Sequence, residues 1–429
     1  MKIIKSIFFV IMSLILIMCL GVLVCALNPS LTKMLAEKVE SMPRAGVENG
    51  EDGIQTNVPD NGESVEQAGT LGGESGGDGS ASIPGVNSSW LEGGDGYELP
   101  GEQSVETPDL VSGRTGYEPV QEEAEEIPEG EDALLEGISP GNTGSDLDFD
   151  EIFYPYYAML EEDMRKLYRQ IYANAMDMAQ SFSPVTPVSV TRLKTVFEAV
   201  YNDHPELFWL ETGYSCKYLR DGSCVEVTLK YNAAAENLEA AKQEFEGSAE
   251  RILAGARTLG SDGEKERHVH DALMQSVEYA VSAPMNQSAY SALARGQSVC
   301  AGYARAFQYL MQQLGIPCYY CTGFAGEDHA WNIVKIGADY HNVDVTWDDT
   351  DPATYDYFNR TDREFGATHV RTGLAVYLPA CRAQGGESAG DAPAGAAEDG
   401  SAGDAADSGE ESGSVELINP NPSQPLVWQ

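Results

Sequence analysis

The chain has 429 residues and a formal net charge of −42 at pH 7, from 68 acidic and 26 basic residues. This charge argues against nucleic acid as a partner, because phosphate recognition needs clustered Lys and Arg. The length would allow two or three average domains, but the charge is distributed too unevenly for that count.

The first 27 residues predict a signal-anchor or a signal peptide. Lys2 and Lys5 precede an uncharged apolar run over residues 7–27, which at helical rise just spans a bilayer core. We favour a single-pass anchor in the cell membrane with the body of the protein outside the cytoplasm. Secretion after cleavage near Ala26 is the alternative. Both interpretations export the rest of the chain.

Two acidic segments flank the middle of the chain. Residues 45–150 contain 26 acidic residues and one base, Arg114, whereas residues 383–429 contain nine acidic residues and no base. Both segments are rich in Gly, Ser and Pro and have too little apolar periodicity to offset the entropy of an ordered chain. We therefore predict an acidic disordered linker over 28–149 and an acidic low-complexity tail over 383–429.

Residues 150–258 predict a lead-in of helices and a hairpin. An apolar stripe at helical spacing opens the region. Its members are Leu160, Met164, Leu167, Ile171 and Ala175. A second helix ends at the break over 202–205, and residues 213–232 alternate around a turn at 221–222, which is typical of a hairpin. If any disulfide exists, Cys216 and Cys224 beside this turn are the most plausible pair.

Residues 259–382 predict an α+β core. After a last lead-in helix near 233–257, a helix is expected near 262–281, and a further helix follows Cys300. Ser298 as its N-cap would make Cys300 the second helical residue, and Gly315 with Pro317 ends it. Three strands are expected in "IPCYYCTGF", "HAWNIVKI" and "YHNVDVTW". A helix followed by antiparallel strands indicates the α+β class.

Three residues of this core form a candidate nucleophilic site. A thiol at a helix start, as at Cys300, is favoured as thiolate, and it needs a base and an orienting acceptor within reach. If 337–338 is a two-residue turn, Asp344 lies opposite Trp331 and diagonal to His329 on one face, about 7 Å apart at the backbone. A three-residue turn would place Asp344 on the other face. Alternatively, Cys300 is a small core residue.

The other histidines are weaker candidates. His204 precedes a proline at a helix end, which favours a surface or capping role, and His268 and His270 lie on a charged helix, where solvation is expected. His369 could fold back near the site, but nothing requires it. No metal site and no cofactor are predicted, because no second close ligand pair completes a tetrahedral set.

The motifs resemble the transglutaminase-like superfamily, in the form common in bacterial surface proteins. The resemblance is carried by "SVCAGYARAFQYLMQQLGIP", "HAWNIVKI" and "YHNVDVTWDD" and is strong over 287–349. It is looser back to residue 150, where "HPELFWLETGY" is similar to the helical lead-in of such proteins, and it covers neither linker nor tail. It implies a papain-like fold with Cys300 as nucleophile, His329 as base and Asp344 as orienting residue.

The resemblance also implies attack on an amide, a thioester intermediate, and transfer to water or an amine. The backbone N–H of Cys300 would help to hold the oxyanion. Gln287 and Gln297 are weak side-chain candidates for that role, and Trp331 is expected to shield the site rather than donate a bond.

We therefore expect an exported cysteine protease, amidase or acyltransferase that acts on a protein or peptide substrate, associated with the cell wall or surface. The alternative is a non-catalytic binding module of the same fold, displayed on a stalk.

Overall fold

The computed structural model describes residues 83–87, 89, 96–100, 107–109, 111, 113–128 and 137–382. The predicted membrane segment over 7–27 and the predicted tail over 383–429 lie outside these residues. Among the helices that are described, none is both long and apolar enough to cross a bilayer.

The lead-in region contains the predicted helices and hairpin, and the hairpin belongs to a four-stranded sheet. Its helices are α1 (Pro155–Ala158), α2 (Glu162–Met176) and α3 (Val190–Asp203). Its strands are β1 (Gln121–Glu126), β2 (Ser181–Phe182), β3 (Leu210–Tyr218) and β4 (Cys224–Tyr231). The strand order is β1-β3-β4-β2, and β3 and β4 form the expected antiparallel hairpin.

Part of the predicted linker belongs to this sheet. β1 pairs in parallel with β3, with Gln121 opposite Gly213 and Glu126 opposite Tyr218. A Cβ at position 213 would lie 2.9 Å from the backbone oxygen of Gln121, so glycine permits this approach. All six side chains of β1 are exposed, so backbone hydrogen bonds hold the strand rather than an apolar face. Residues 113–128 thus differ from the predicted disordered linker over 28–149.

The second half of the described chain forms the α+β core. Helix α4 (Leu238–Ala256) ends the lead-in, and the longer helices of the core are α5 (Asp262–Ser276), α6 (Ala289–Arg295) and α7 (Cys300–Gln313). Its short helices are α8 (Val345–Asp348) and α9 (Asp362–Phe365), and 3-10 turns lie at Ala233–Asn237 and Gly373–Tyr377. Its strands are β5 (Glu278–Tyr279), β6 (Gln297–Ser298), β7 (Cys318–Phe324), β8 (Asp328–Ile336), β9 (Asp339–Val343) and β10 (Val370–Arg371).

The main core sheet has the order β10-β7-β8-β9, with β8 in its interior. β8 and β9 pair from Ile336 opposite Asp339, which is the register of a two-residue turn. Gly337 has a φ of +61°, a left-handed value that suits glycine at the first turn position. The predicted register is confirmed, although β9 ends at Val343 and the chain then enters α8.

The six cysteines in the described part of the chain are all free and buried. Cys216 and Cys224 lie close enough for a hydrogen bond between their thiols, and they are not bridged. The two cysteines suggested by the sequence as a pair are therefore neighbours on adjacent strands but do not form a disulfide. Cys318 and Cys321 lie within β7, as expected from their sequence context.

Lead-in and core share one continuous hydrophobic core, which extends from Val86 to Cys381. A buried Arg305 on α7 joins the two regions. Its guanidinium donates to the backbone oxygens of Tyr201 and His204 at the end of α3, and it lies 4.0 Å from the centre of the Tyr201 ring. The helix that begins at Cys300 is therefore anchored from both sides.

Candidate active site

Cys300 is the first residue of α7 and is 1% exposed. The residue before it, Val299, is the N-cap and has no side-chain acceptor to offer, so the first N–H groups of the helix remain available to an anion. The predicted cap at Ser298 is wrong: its hydroxyl donates instead to the backbone oxygen of Asn286, at 2.7 Å. This bond fastens the helix start to the preceding loop.

His329 is the second residue of β8 and lies opposite Gly323 in β7. A Cβ at position 323 would overlap the backbone oxygen of Val370, so only glycine lets β10 approach here. The strand is held against the helix of Cys300 by Asn332, whose side chain donates to the backbone oxygen of Ala304 at 2.9 Å. Strand and helix therefore meet in a fixed relation.

Asp344 lies directly after β9 and is the N-cap of α8. Its Oδ1 accepts from the backbone N–H and the hydroxyl of Thr346, at 2.9 and 2.5 Å, and from the N–H of Trp347 at 3.3 Å. Its Oδ2 lies 2.7 Å from His329 Nε2, with both side chains buried. The carboxylate is thus fixed by its own helix turn and aimed at the imidazole.

The imidazole of His329 lies between Asp344 and the Cys300 thiol. Burial alone lowers the pKa of His329, but the charges of Asp344 and Cys300 and hydrogen bonds to both side chains raise it to about 10. Burial would raise the pKa of the Asp344 carboxyl, but the charge and hydrogen bond of His329 hold it far below its usual range. Because Nε2 faces the carboxylate, Nδ1 is the nitrogen available to the thiol.

A second imidazole, His369, contacts the same carboxylate. Its Nε2 lies 3.2 Å from Asp344 Oδ2, and its Nδ1 lies 2.8 Å from Thr368 Oγ1. Burial, together with the charge of His329, lowers the pKa of His369 to about 4 despite its bond to Asp344. This imidazole is therefore neutral and donates to Asp344. From the sequence, His369 was expected only as a histidine after the last helical stretch that could fold back near the site, and no pattern required the contact.

His329, Asp344 and His369 also form the one described group with three potential metal-ligand atoms, all within 4.8 Å of one another. Two imidazoles and a carboxylate are a donor set that Zn²⁺ accepts. In the structure, however, the same three atoms are used in the two hydrogen bonds at 2.7 and 3.2 Å. The three side chains therefore satisfy one another's hydrogen-bonding groups as a cluster.

Tyr279 is a site residue that the sequence did not reveal. Its phenol faces the thiol and the backbone N–H of Cys300, and burial, followed by the charge of Cys300, raises its pKa. The predicted helix over 262–281 would have directed it elsewhere. In the structure α5 ends at Ser276, and β5 pairs in parallel with β6, so that Tyr279 lies opposite Ser298. A two-residue strand carries too little periodicity to be recognised in a sequence.

The three weak support candidates are placed differently from one another. Gln287 is buried and its amide donates to the backbone oxygen of Gly116 at 2.6 Å. Gln297 is exposed, and its amide donates to Glu278 at 3.2 Å, so it faces the surface rather than the thiol. Trp331 is buried beside His329, and its N–H donates to Asn342 at 3.1 Å. That bond agrees with shielding rather than donation to a substrate.

Two histidines expected near solvent are buried. The imidazole of His204 lies 2.8 Å from the hydroxyl of Tyr168 and 2.6 Å from a carboxylate oxygen of Glu206. His270 lies 3.1 Å from Asp348, and both side chains are fully buried. The sequence around each histidine suggested exposure because most of the hydrogen-bond partners are distant in the chain: Tyr168 for His204 and Asp348 for His270.

One family model matches part of the chain. Residues 247–352 match the model of the transglutaminase-like superfamily. The chain is similar to a TGase of known crystal structure, with 14% identity over 39% of this chain and 50% of that one and a TM-score of 0.24. It is also similar to a candidate cysteine protease from Cytophaga hutchinsonii, with 18% identity over 35% of this chain and 55% of that one and a TM-score of 0.22. No curated protein sequence matches the chain.

The chain spans about half the length of these two solved structures. The matched range contains Cys300, His329, Asp344 and Tyr279, and it ends before His369. The resemblance seen in the sequence motifs and the expected α+β fold are therefore confirmed for this part of the chain.

Proposed function

We propose that this chain, in which residues 247–352 carry a transglutaminase-like fold, is a cysteine enzyme that cleaves or transfers amide bonds through a thioester. The observation that carries the proposal is the buried His329–Asp344 pair, 2.7 Å apart, beside a thiol at the first residue of a helix. In the proposed roles, Cys300 is the nucleophile, His329 the general base and acid, and Asp344 the residue that orients and charges the imidazole.

The proposed first half-reaction forms the thioester. The Cys300 sulfur attacks the carbonyl carbon of an amide, while the proton of the thiol resides on His329. The tetrahedral oxyanion is held by the backbone N–H of Cys300 and by the hydroxyl of Tyr279, the two donors beside the sulfur. His329 then donates its proton to the leaving nitrogen as the carbon–nitrogen bond breaks.

The second half-reaction releases the acyl group. Water or an amine loses a proton to His329 and attacks the thioester carbon; the carbon–sulfur bond then breaks, and the leaving sulfur takes up the proton held by His329. The raised pKa of His329 fits a group that holds the proton until the leaving nitrogen takes it. Hydrolysis and transfer share this machinery and differ only in the acceptor.

The proposal is tested by the alkylation rate of Cys300 in the full chain. Iodoacetamide labelling, read at the Cys300 peptide by mass spectrometry between pH 5 and 9, compares the native chain with His329→Gln and Asp344→Asn. We expect labelling to persist below the ordinary thiol pKa of about 8.5 and to fall at low pH in both variants. Buried Cys318 is the internal control, because its labelling would report unfolding.

Turnover is then measured with peptide amides, with and without an added primary amine, and with Cys300→Ala as the blank. Release of ammonia or amine that requires Cys300 supports the enzyme. Labelling that follows an ordinary thiol and ignores His329, without Cys300-dependent turnover, would instead favour the binding module.

A further inference from the structure

A segment of the chain lies over the Cys300 thiol. Residues 113–118 belong to the acidic region that precedes the lead-in helices, yet Tyr117 packs on the small cluster that contains Val299, Cys300 and Tyr320. This segment, which we call the strap, accounts for part of the burial of a thiol that is only 1% exposed. Downstream it runs into β1, and upstream Val111 is buried against Ala325 and Trp347.

Side chains of the core form hydrogen bonds with the backbone of the strap. Tyr279 Oη donates to the backbone oxygen of Thr115 at 3.0 Å. The amide of Gln287 forms two bonds, as its Nε2 donates to the backbone oxygen of Gly116 at 2.6 Å and its Oε1 accepts from the N–H of Glu118 at 3.1 Å. Paired bonds of this kind recognise an extended peptide whatever its side chains.

One side-chain position of the strap is restricted to glycine. Gly116 has a φ of +105°, in the region that favours glycine. A Cβ there would lie 3.0 Å from Val299 Cγ1 and 3.1 Å from Val281 Cγ1. Two branched side chains of the core therefore close the groove to any larger residue at this position.

Arg114, the one basic residue in the acidic segment over 45–150, lies in the strap. The guanidinium of Arg114 donates to the backbone oxygens of Thr346 and Asp349, the latter at 2.5 Å, and lies 5.4 Å from the centre of the Tyr279 ring. Thr346 and Asp349 belong to the turn that follows Asp344. The strap thus bridges the two sides of the candidate active site.

The position of the Thr115 carbonyl connects the strap to the chemistry. It accepts a hydrogen bond from Tyr279, the phenol that faces Cys300 and that we assign to the oxyanion. The backbone carbonyl of Thr115 therefore accepts the hydrogen bond that, in the proposed reaction, Tyr279 would donate to the substrate carbonyl. Beyond Glu118, a cavity of about 420 Å³, also lined by Gln287, Val281 and Ser288, continues the groove.

From these contacts we propose that residues 113–118 occupy the substrate groove in cis, so that the chain is latent, and that the groove takes extended peptides with glycine at the position of Gly116. The catalytic consequence rests on the proposed function, whereas the peptide-binding groove stands on the contacts alone. Gln287 and Tyr279 are its backbone-binding residues, and Val281 and Val299 determine its preference for glycine.

The test displaces the strap and measures Cys300 labelling in the full chain. Gly116→Val should collide with Val281 and Val299 and raise the Cys300 labelling rate about tenfold or more, because the strap then loses backbone hydrogen bonds to the core and opens more often. Thr115→Val, whose side chain is exposed, is the matched control and should label at the native rate. Arg114→Ala is a second release variant that adds no volume, and unlabelled Cys318 verifies that either variant is folded.

The ligand class is tested with the opened Gly116→Val chain. A synthetic peptide of residues 111–120 should slow Cys300 labelling in a saturable manner, and the same peptide carrying G116V should not. Release variants that label no faster than Thr115→Val would overturn the proposal. The proposal would also be overturned if neither peptide slowed Cys300 labelling, or if both peptides slowed it equally.

The two proposals fail differently. If labelling of the opened chain ignores His329→Gln, the enzyme proposal fails, while protection by the glycine peptide would still establish the groove. If labelling requires His329 but neither release variant accelerates it, the groove proposal fails and the enzyme proposal stands.

Discussion

A single buried carboxylate organises the candidate site at the residue scale. Asp344 uses one oxygen for its own helix turn and the other for two imidazoles, His329 and His369. The pKa values of the two imidazoles are shifted in opposite directions, to about 10 for His329 and to about 4 for His369. His329 faces the Asp344 carboxylate and the Cys300 side chain, which both raise its pKa, whereas His369 meets the same carboxylate and the cation of His329. The charge therefore stays on the imidazole that faces the thiol.

His369 is predicted to act as a positioning residue. In the opened Gly116→Val chain, His369→Phe keeps the ring volume beside Trp347 but removes the donor to Asp344. A hydrogen bond to a charged group contributes about 1.5–3 kcal/mol, so we expect Cys300 labelling to fall about tenfold or more. His369→Gln, which retains a donor, should recover part of the rate. The control is His268→Gln, a histidine bonded to the backbone oxygen of Ile252.

A pH series separates this role from simple packing. The pKa of His369 is about 4 in the folded chain against an ordinary 6.5, so the unfolded chain takes up a proton first as pH falls. The native chain therefore loses stability from about pH 6.5 toward 4, and His369→Phe lacks this loss. The gap in melting temperature between native and variant should narrow over that range. A constant gap would contradict a neutral His369.

At the scale of elements, the parts of the site that long or patterned elements carry were predictable from sequence. The helix after Cys300, the hairpin of β8 and β9 and its register follow from apolar periodicity and from one turn glycine, Gly337. That register suffices to bring Asp344 to His329, even though β9 ends one residue earlier than the pair requires. Local capping of α8 by Asp344, rather than a ladder pair at position 344, then fixes the carboxylate that meets His329.

The elements that were not predicted are short or lack an apolar face. The last turn of the predicted helix over 262–281 is replaced by β5, because Glu278 and Ala280 donate to the backbone oxygens of Gly296 and Ser298. β1 consists mostly of exposed glutamates, and its composition is that of a solvated segment. Backbone pairing with a distant strand leaves no local signature, so Tyr279 and the strap could not be found from the sequence.

The start of α7 is predicted to depend on glycine at position 302. A Cβ there would overlap Ser298 Oγ and lie 2.7 and 2.8 Å from the backbone oxygens of Asn286 and Ser288. We expect Gly302→Ala to lower the free energy of unfolding by about 1–3 kcal/mol, as overpacking does. The measurement is chemical denaturation of the full chain.

Gly263 offers a matched control in the first turn of α5, where nothing lies within 4 Å of a Cβ. There alanine should be neutral or add about 0.4–1 kcal/mol, because it restricts the unfolded chain. Equal stability of the two variants would mean that the loop over 286–288 yields easily and does not fix the helix start.

At the scale of the molecule, the lead-in and the core share one hydrophobic core. The strap illustrates why both are needed: β1 holds its downstream end on the lead-in sheet, and Tyr279 and Gln287 hold its middle on the core. The nucleophile helix is likewise shared, since Arg305 on α7 satisfies backbone oxygens at the end of α3. The boundary predicted near residue 258 therefore separates two halves of one hydrophobic core.

Removing Arg305 is predicted to weaken both halves together. Arg305→Leu leaves the oxygens of Tyr201 and His204 without their donor inside the protein, at about 1–3 kcal/mol for each orphaned group. The cation also stabilises the C-terminus of α3, where the helix dipole is negative. Hydrogen exchange on the full chain should show equal opening free energies for peptides 190–203 and 300–313, both reduced by the variant. Arg257→Leu breaks only an exposed pair with Glu250 and should change neither. If peptide 190–203 alone lost protection, the lead-in would unfold independently, and the strap would then be free to leave Cys300 by melting of β3 rather than by displacement at Gly116.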